Sequence, residues 1–112
     1  MISEPTKKRL LDSINNPMIY CSGKNRKILQ ATFDKMLDEV SINLFEAPCT
    51  NRMLFRQRVN SLSSDTVTVK ALKQMLKNQD LLFSKDYRDH NDEILKFITN
   101  DLTHFLKEIC SE

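Results

Sequence analysis

One glycine in 112 residues, Gly23, constrains this chain more than any other feature. Tight hairpins and phosphate-cradling loops both consume glycine, because it enters positive φ without a steric penalty. A hairpin-rich sheet or a glycine-loop nucleotide fold is therefore disfavoured, and an all-α chain is expected. The three prolines, Pro5, Pro17 and Pro48, stand where helices should begin or end.

Periodicity fills in the helices. Ser3 is placed to cap a first helix that carries Leu10, Leu11 and Ile14 and stops at Asn15-Asn16, ahead of Pro17. A second helix is expected at about 24–46, with Leu29, Phe33, Met36, Leu37, Val40 and Leu44 at steps of three and four. Ile28, Ile42 and Phe45 lie off that stripe, which suggests a central helix touched on more than one side. A short alternating strand over Val40–Phe45 competes with this reading, but the helical period runs unbroken into it. A third helix fits 51–62, capped by Thr50 or Asn51, with Phe55, Val59 and Leu62 inward. Thr66-Val67-Thr68-Val69 is β-branched throughout and stiff at χ1, so an extended bridge is expected there. Thr68 would then cap a fourth helix at 69–78 that buries Val69, Leu72, Met75 and Leu76. Leu81-Leu82-Phe83 reads as an apolar plug before a last helix that starts at Ser84 or Asp89. The expected architecture is a single compact all-α bundle of about five helices over residues 1–112. Its long helices are the central one at about 24–46 and the C-terminal one at about 86–110.

The 40% apolar and 29% charged composition is that of a globular chain and argues against disorder. No apolar run approaches the roughly 20 residues of a membrane helix, and no apolar segment follows the first charges as in a signal peptide. Three unpaired-looking cysteines, Cys21, Cys49 and Cys110, suit a reducing compartment. Cytoplasm is the expected location, or the nucleus in a eukaryote.

Charge is sorted into four blocks of alternating sign. Residues 1–27 carry Lys7, Lys8, Arg9, Lys24, Arg26 and Lys27 against Glu4 and Asp12, a net of +4. Residues 28–50 carry Asp34, Asp38, Glu39 and Glu46 against Lys35, a net of −3. Residues 51–77 carry Arg52, Arg56, Arg58, Lys70, Lys73 and Lys77 against Asp65, a net of +5. Residues 78–112 hold eight acids against Lys85, Arg88, Lys96 and Lys107, a net of −4. A formal total of +2 hides these opposed surfaces, and segregated charge governs partner choice and association rate.

The block 51–77 is the sharpest candidate site. Two short helices joined by polar residues have the layout of a helix-turn-helix, whose second helix reads the major groove. Lys70, Lys73 and Lys77 lie at steps of three and four on one side of the fourth helix, while Arg52, Arg56 and Arg58 line the third and could grip phosphate. Base-reading residues are sparse, Gln74 and Asn78 being the only amides on the fourth helix. The turn glycine of such motifs is missing and the connection is long. A solvated basic face is the competing reading.

On the last helix, Leu95, Ile98, Leu102, Phe105 and Ile109 follow the 3-4-3-4 spacing of a heptad seam. Such a strip serves either as an interface for a partner helix or a second copy, giving a homodimer, or as the strip a bundle helix buries in its own core. Its two heptads are short for a coiled coil, which favours the core.

Catalytic and metal chemistry find little support. Cys21 and Cys49 have no evident basic neighbour to lower a thiol pKa, and no Cys-x-x-Cys spacing marks a metal site. Acids around His90 read as helix caps, and no glycine turns a calcium loop there. His104-Phe105-Leu106-Lys107 resembles the His-x-Leu-Lys of phosphotransfer four-helix domains at three positions. Glu108 stands where those domains keep a small residue, and it would repel the phosphate. No cofactor, metal or catalytic residue is expected. The expected function is a small intracellular, non-enzymatic regulatory or adaptor protein working through protein–protein contacts. The alternative is a nucleic-acid-binding, helix-turn-helix-like regulator of transcription or replication that uses 51–77, with the N-terminal Lys7-Lys8-Arg9 cluster as a further contact.

Overall fold

Side-chain caps set where the helices start. In the computed structural model, which describes residues 1–84 and 91–110, Ser3 caps α1 (Glu4–Asn15) by accepting the Thr6 amide, with Pro5 in the first turn. Asn16 and Pro17 stop that helix, and a 3₁₀ turn, Pro17–Cys21, carries the chain into α2. Gly23 opens α2 (Gly23–Phe45) at φ +66°, the left-handed region that a side chain resists. Glu46 closes α2, also left-handed, with its amide on the Ile42 carbonyl. Asn51 caps α3 (Arg52–Asn60) through the Leu54 amide at 3.0 Å. The described residues contain no strand, so Val40–Phe45 is helical.

Two sequence expectations need correction. α4 runs Val67–Lys77 and is capped by Thr66, whose hydroxyl accepts the Val69 amide at 3.3 Å. The expected bridge over Thr66–Val69 is thus the cap and first turn, and Thr68 is buried rather than capping. β-Branching costs only a few tenths of a kcal/mol per helical residue, less than the cap and the burial of Thr68 and Val69 return. The second correction concerns α2: Phe45 packs edge-on against Phe55, but Ile28 and Ile42 face solvent. The core covers α2 along its stripe and leaves those two off-stripe positions bare.

The C-terminal helix is more irregular than its spacing suggests. α5 (Asn91–Lys96) passes through a π-helical turn, Phe97–Leu102, into α6 (Thr103–Cys110), with right-handed helical backbone at both junctions. The expected start near residue 86, with Asp86, Asp89 and His90, lies outside the described residues. A π turn brings residues five apart onto one face. Phe97 and Leu102 are both fully buried for that reason, and Ile94 and Phe97 take the place expected of the half-buried Leu95. The Thr103 hydroxyl donates to the Ile98 carbonyl five residues back, at 2.7 Å. Ile98, Leu102, Phe105 and Ile109 all lie in the chain's own core, so they offer no surface to a partner.

Phe33 on α2 is the hub of that core. Its ring centroid is 5.9 Å from those of both Phe83 and Phe97. Each such ring pair adds about 0.5–1.5 kcal/mol beyond the burial of its area. Leu82, in the 3₁₀ turn Gln79–Phe83, is fully buried beneath α2 as the expected plug. Two α2 side chains hold that turn: Arg26 Nη2 donates to the Ser84 carbonyl at 2.5 Å and Gln30 Nε2 to the Leu82 carbonyl at 2.8 Å. α6 packs on α4 and α1, and α3 on α4. The radius of gyration, 13.2 Å, is that of a compact bundle of this length. Among the described residues, no helix is long and apolar enough to cross a membrane.

Candidate functional site

The basic segment 51–77 is split by its own fold. Arg52 donates to Asp34 on α2 at 3.0 Å and lies over the Phe83 ring, 3.6 Å from its centroid. Arg56 sits 3.8 Å from Asp80, and Lys73 Nζ donates to the Leu62 carbonyl at 2.9 Å. Three of the six cations are thus committed to intramolecular partners. Arg58, Lys70 and Lys77 remain exposed, as does Gln74. Val67, Lys70, Gln74 and Lys77 recur at steps of three and four, so α4 presents one narrow basic stripe to solvent.

A second surface brings the Lys7-Lys8-Arg9 cluster, expected as a further nucleic-acid contact, together with a face of α2 that the sequence does not mark as its neighbour. α1 and α2 run antiparallel, joined by the short turn Pro17–Cys21 and pinned at the far end where the Ser3 amide donates to Glu39 Oε1 at 3.3 Å. Along their shared flank lies an open cleft of about 1310 Å³, lined by Pro5, Lys8, Leu11, Asn15, Tyr20 and Ile28 among others. Glu4, Lys8, Leu11 and Asn15 form the α1 wall at helical spacing. Ile28 is the α2 contribution, 47% exposed, and its neighbours on that face at helical spacing are Lys24, Ala31 and Lys35, all exposed.

Charge in the cleft is uneven. Glu4 pairs with Lys7 at 3.8 Å, and the Tyr20 hydroxyl donates to Asp12 at 2.5 Å. That hydrogen bond to Asp12, together with burial, pushes the Tyr20 phenol above its ordinary value and keeps it a proton donor. Both acids of the cleft are therefore engaged, whereas Lys8, Arg9 and Lys24 form no ion pair with any described residue. The signal for this site was present in the sequence as the +4 block, with Ile28 off the core stripe and lysines either side of it. It was obscured because antiparallel pairing of α1 with α2 is a tertiary fact.

Nucleophiles and ligands are differently placed. Burial pushes the thiols of Cys21 and Cys49 up, away from the reactive thiolate. His104 is exposed on α6 with Nδ1 4.0 Å from the Glu108 carboxylate, the acid that opposes a phosphoryl group. Among the described residues, no three His, Cys, Asp or Glu side chains are grouped to hold a metal ion. Comparison with protein-family models, curated proteins and solved structures finds no match to this chain.

Proposed function

We propose that this chain is a small, non-enzymatic regulatory or adaptor protein of the cytoplasm or nucleus that acts through protein–protein contact. The supporting observation is the α1–α2 cleft. It combines an apolar floor of Leu11 and Ile28 with exposed, unpaired Lys8, Arg9 and Lys24 beside it. Apolar anchors surrounded by polar groups of one sign are the ordinary chemistry of a protein-binding surface. The test is cross-linked capture from source cells with wild type and Ile28→Glu. Ile28 is half exposed, so circular dichroism should show the fold unchanged. A partner held by wild type and lost with Ile28→Glu supports the reading; capture indifferent to Ile28 removes it.

The α4 stripe favours a second reading, binding of nucleic acid through Lys70, Gln74 and Lys77. Two cations on α4, three with exposed Arg58 on α3, give a modest phosphate footprint, and Arg52 and Arg56 are already paired within the fold. A gel shift with mixed DNA and RNA at two salt concentrations tests it. Binding with a steep salt slope that Lys70→Glu with Lys77→Glu abolishes would establish this alternative. No binding at low salt eliminates it.

A further inference from the structure

We infer that the cleft between α1 and α2 is a docking groove for one amphipathic helix whose polar positions are acidic. The inference rests on the reading of the chain as a protein-binding module and names the partner's chemistry.

Shape argues for a helix. Two antiparallel helices leave a groove between them into which a third helix packs by the ordinary ridge-and-groove rule. The α1 wall from Glu4 to Asn15 is about 16 Å long at 1.5 Å per residue, room for about three turns of a partner. Such a partner places anchors at i, i+4 and i+7, and the cleft offers Leu11 and Ile28 with the Tyr20 ring to receive them.

Charge decides the sign of the polar positions. Lys8 and Arg9 on the α1 side, and Lys24 and Lys35 on the α2 side, are exposed around the apolar floor. Glu4 lies 3.8 Å from Lys7, and Asp12 accepts the Tyr20 hydroxyl, a neutral donor that leaves its charge in place. Lys7, Lys8, Arg9, Lys24 and Lys35 still outnumber the acids Glu4, Asp12 and Glu39 by five to three, so a basic partner meets an excess of like charge and an acidic one an excess of counterions. Exposed pairs of this kind are individually weak, so the apolar anchors hold the complex while the cations select and steer it. An anionic lipid surface shares the charge but not the shape, since an open cleft between two helices fits a third helix rather than a flat headgroup layer.

The experiment is selection from a displayed library of helical peptides with leucine fixed at i, i+4 and i+7 and the polar positions randomised. Enrichment of Asp and Glu is expected. The selected peptide, labelled and titrated by fluorescence anisotropy against full-length protein, should bind at least about tenfold more weakly to Ile28→Glu and to Lys8→Glu with Lys24→Glu. Its lysine-for-glutamate counterpart should regain binding to the double variant. Selected peptides without acidic bias that still depend on Ile28 overturn the inference and leave the protein-binding reading standing. Peptides indifferent to Ile28, or Ile28-dependent binding to phosphatidylserine vesicles in place of peptide, overturn both.

Discussion

The guanidinium of Arg52 lies 3.6 Å from the centroid of the Phe83 ring, while its Nη1 holds Asp34 at 3.0 Å. This one side chain joins the start of α3 to α2 and to the turn Gln79–Phe83. It is a cation that reads as a phosphate grip in sequence and acts as a strut in the fold.

Arg52→Ala is expected to lower stability by about 1 kcal/mol, combining a part-exposed cation–π contact with a part-exposed ion pair. Arg52→Lys should fall between the two, since an ammonium keeps the charge and loses the planar stacking. The chain has no tryptophan, so urea unfolding followed by circular dichroism is the measurement. Equal midpoints for Lys and Ala variants would show that the stacked plane, rather than the charge, carries the effect. Equal midpoints for all three proteins would remove the strut.

Gly23→Ala should also destabilise by about 1 kcal/mol, through backbone strain alone. A Cβ built at Gly23 meets nothing within 4 Å, so no clash contributes, but φ is +66°. Gly23→Asn should be milder, because asparagine tolerates left-handed backbone. Thermal melts of the three proteins check the order.

Glu39 supplies a pH dependence. Burial pushes its carboxyl up, but hydrogen bonds from Ser3 and Thr6 and the nearby Lys35 outweigh burial and leave it below the ordinary value. A carboxyl lowered on folding contributes stability that is present above its unfolded pKa, about 4.3. That stability is lost as the pH falls through the folded value. Glu39→Gln should therefore be less stable than wild type at neutral pH, and the gap should close in acid. Urea midpoints at about pH 7 and about pH 3 give the comparison; a gap of constant size would rule Glu39 out as the source.

Leu102→Ala should cost about 2–5 kcal/mol, the range for deleting a fully buried leucine side chain. Leu102 is 0% exposed in the chain's own core. Unfolding midpoints should accordingly be independent of protein concentration for both wild type and variant. A midpoint that rises with concentration would place Leu102 at an interface between copies.

Elements written in local patterns were legible. Ser3 and Asn51 as caps, the end of α1 before Pro17, and the stripe Leu29 to Val40 are all set by residues a few positions apart. Local stiffness misled at Thr66–Val69, where β-branching pointed to an extended bridge and the Thr66 cap with the burial of Thr68 and Val69 outweighed it. The π turn was illegible because Phe97 and Leu102 share a face only when packing against α1 and α4 accommodates a widened turn. The cleft escaped for a similar reason: its walls, Lys8 with Leu11 and Lys24 with Ile28, are more than ten residues apart in sequence.

By itself the sequence determined the helical class, through a single glycine and unbroken three-four periodicity, and it determined where charge accumulates. Tertiary structure alone decided which charges are available. Pairing with Asp34 and Asp80 committed the part-exposed Arg52 and Arg56 within the fold, while the antiparallel approach of α1 and α2 left Lys8, Arg9 and Lys24 around exposed Ile28. The reason is physical: backbone propensity acts within a few residues, but an ion pair or a groove exists only where distant segments meet.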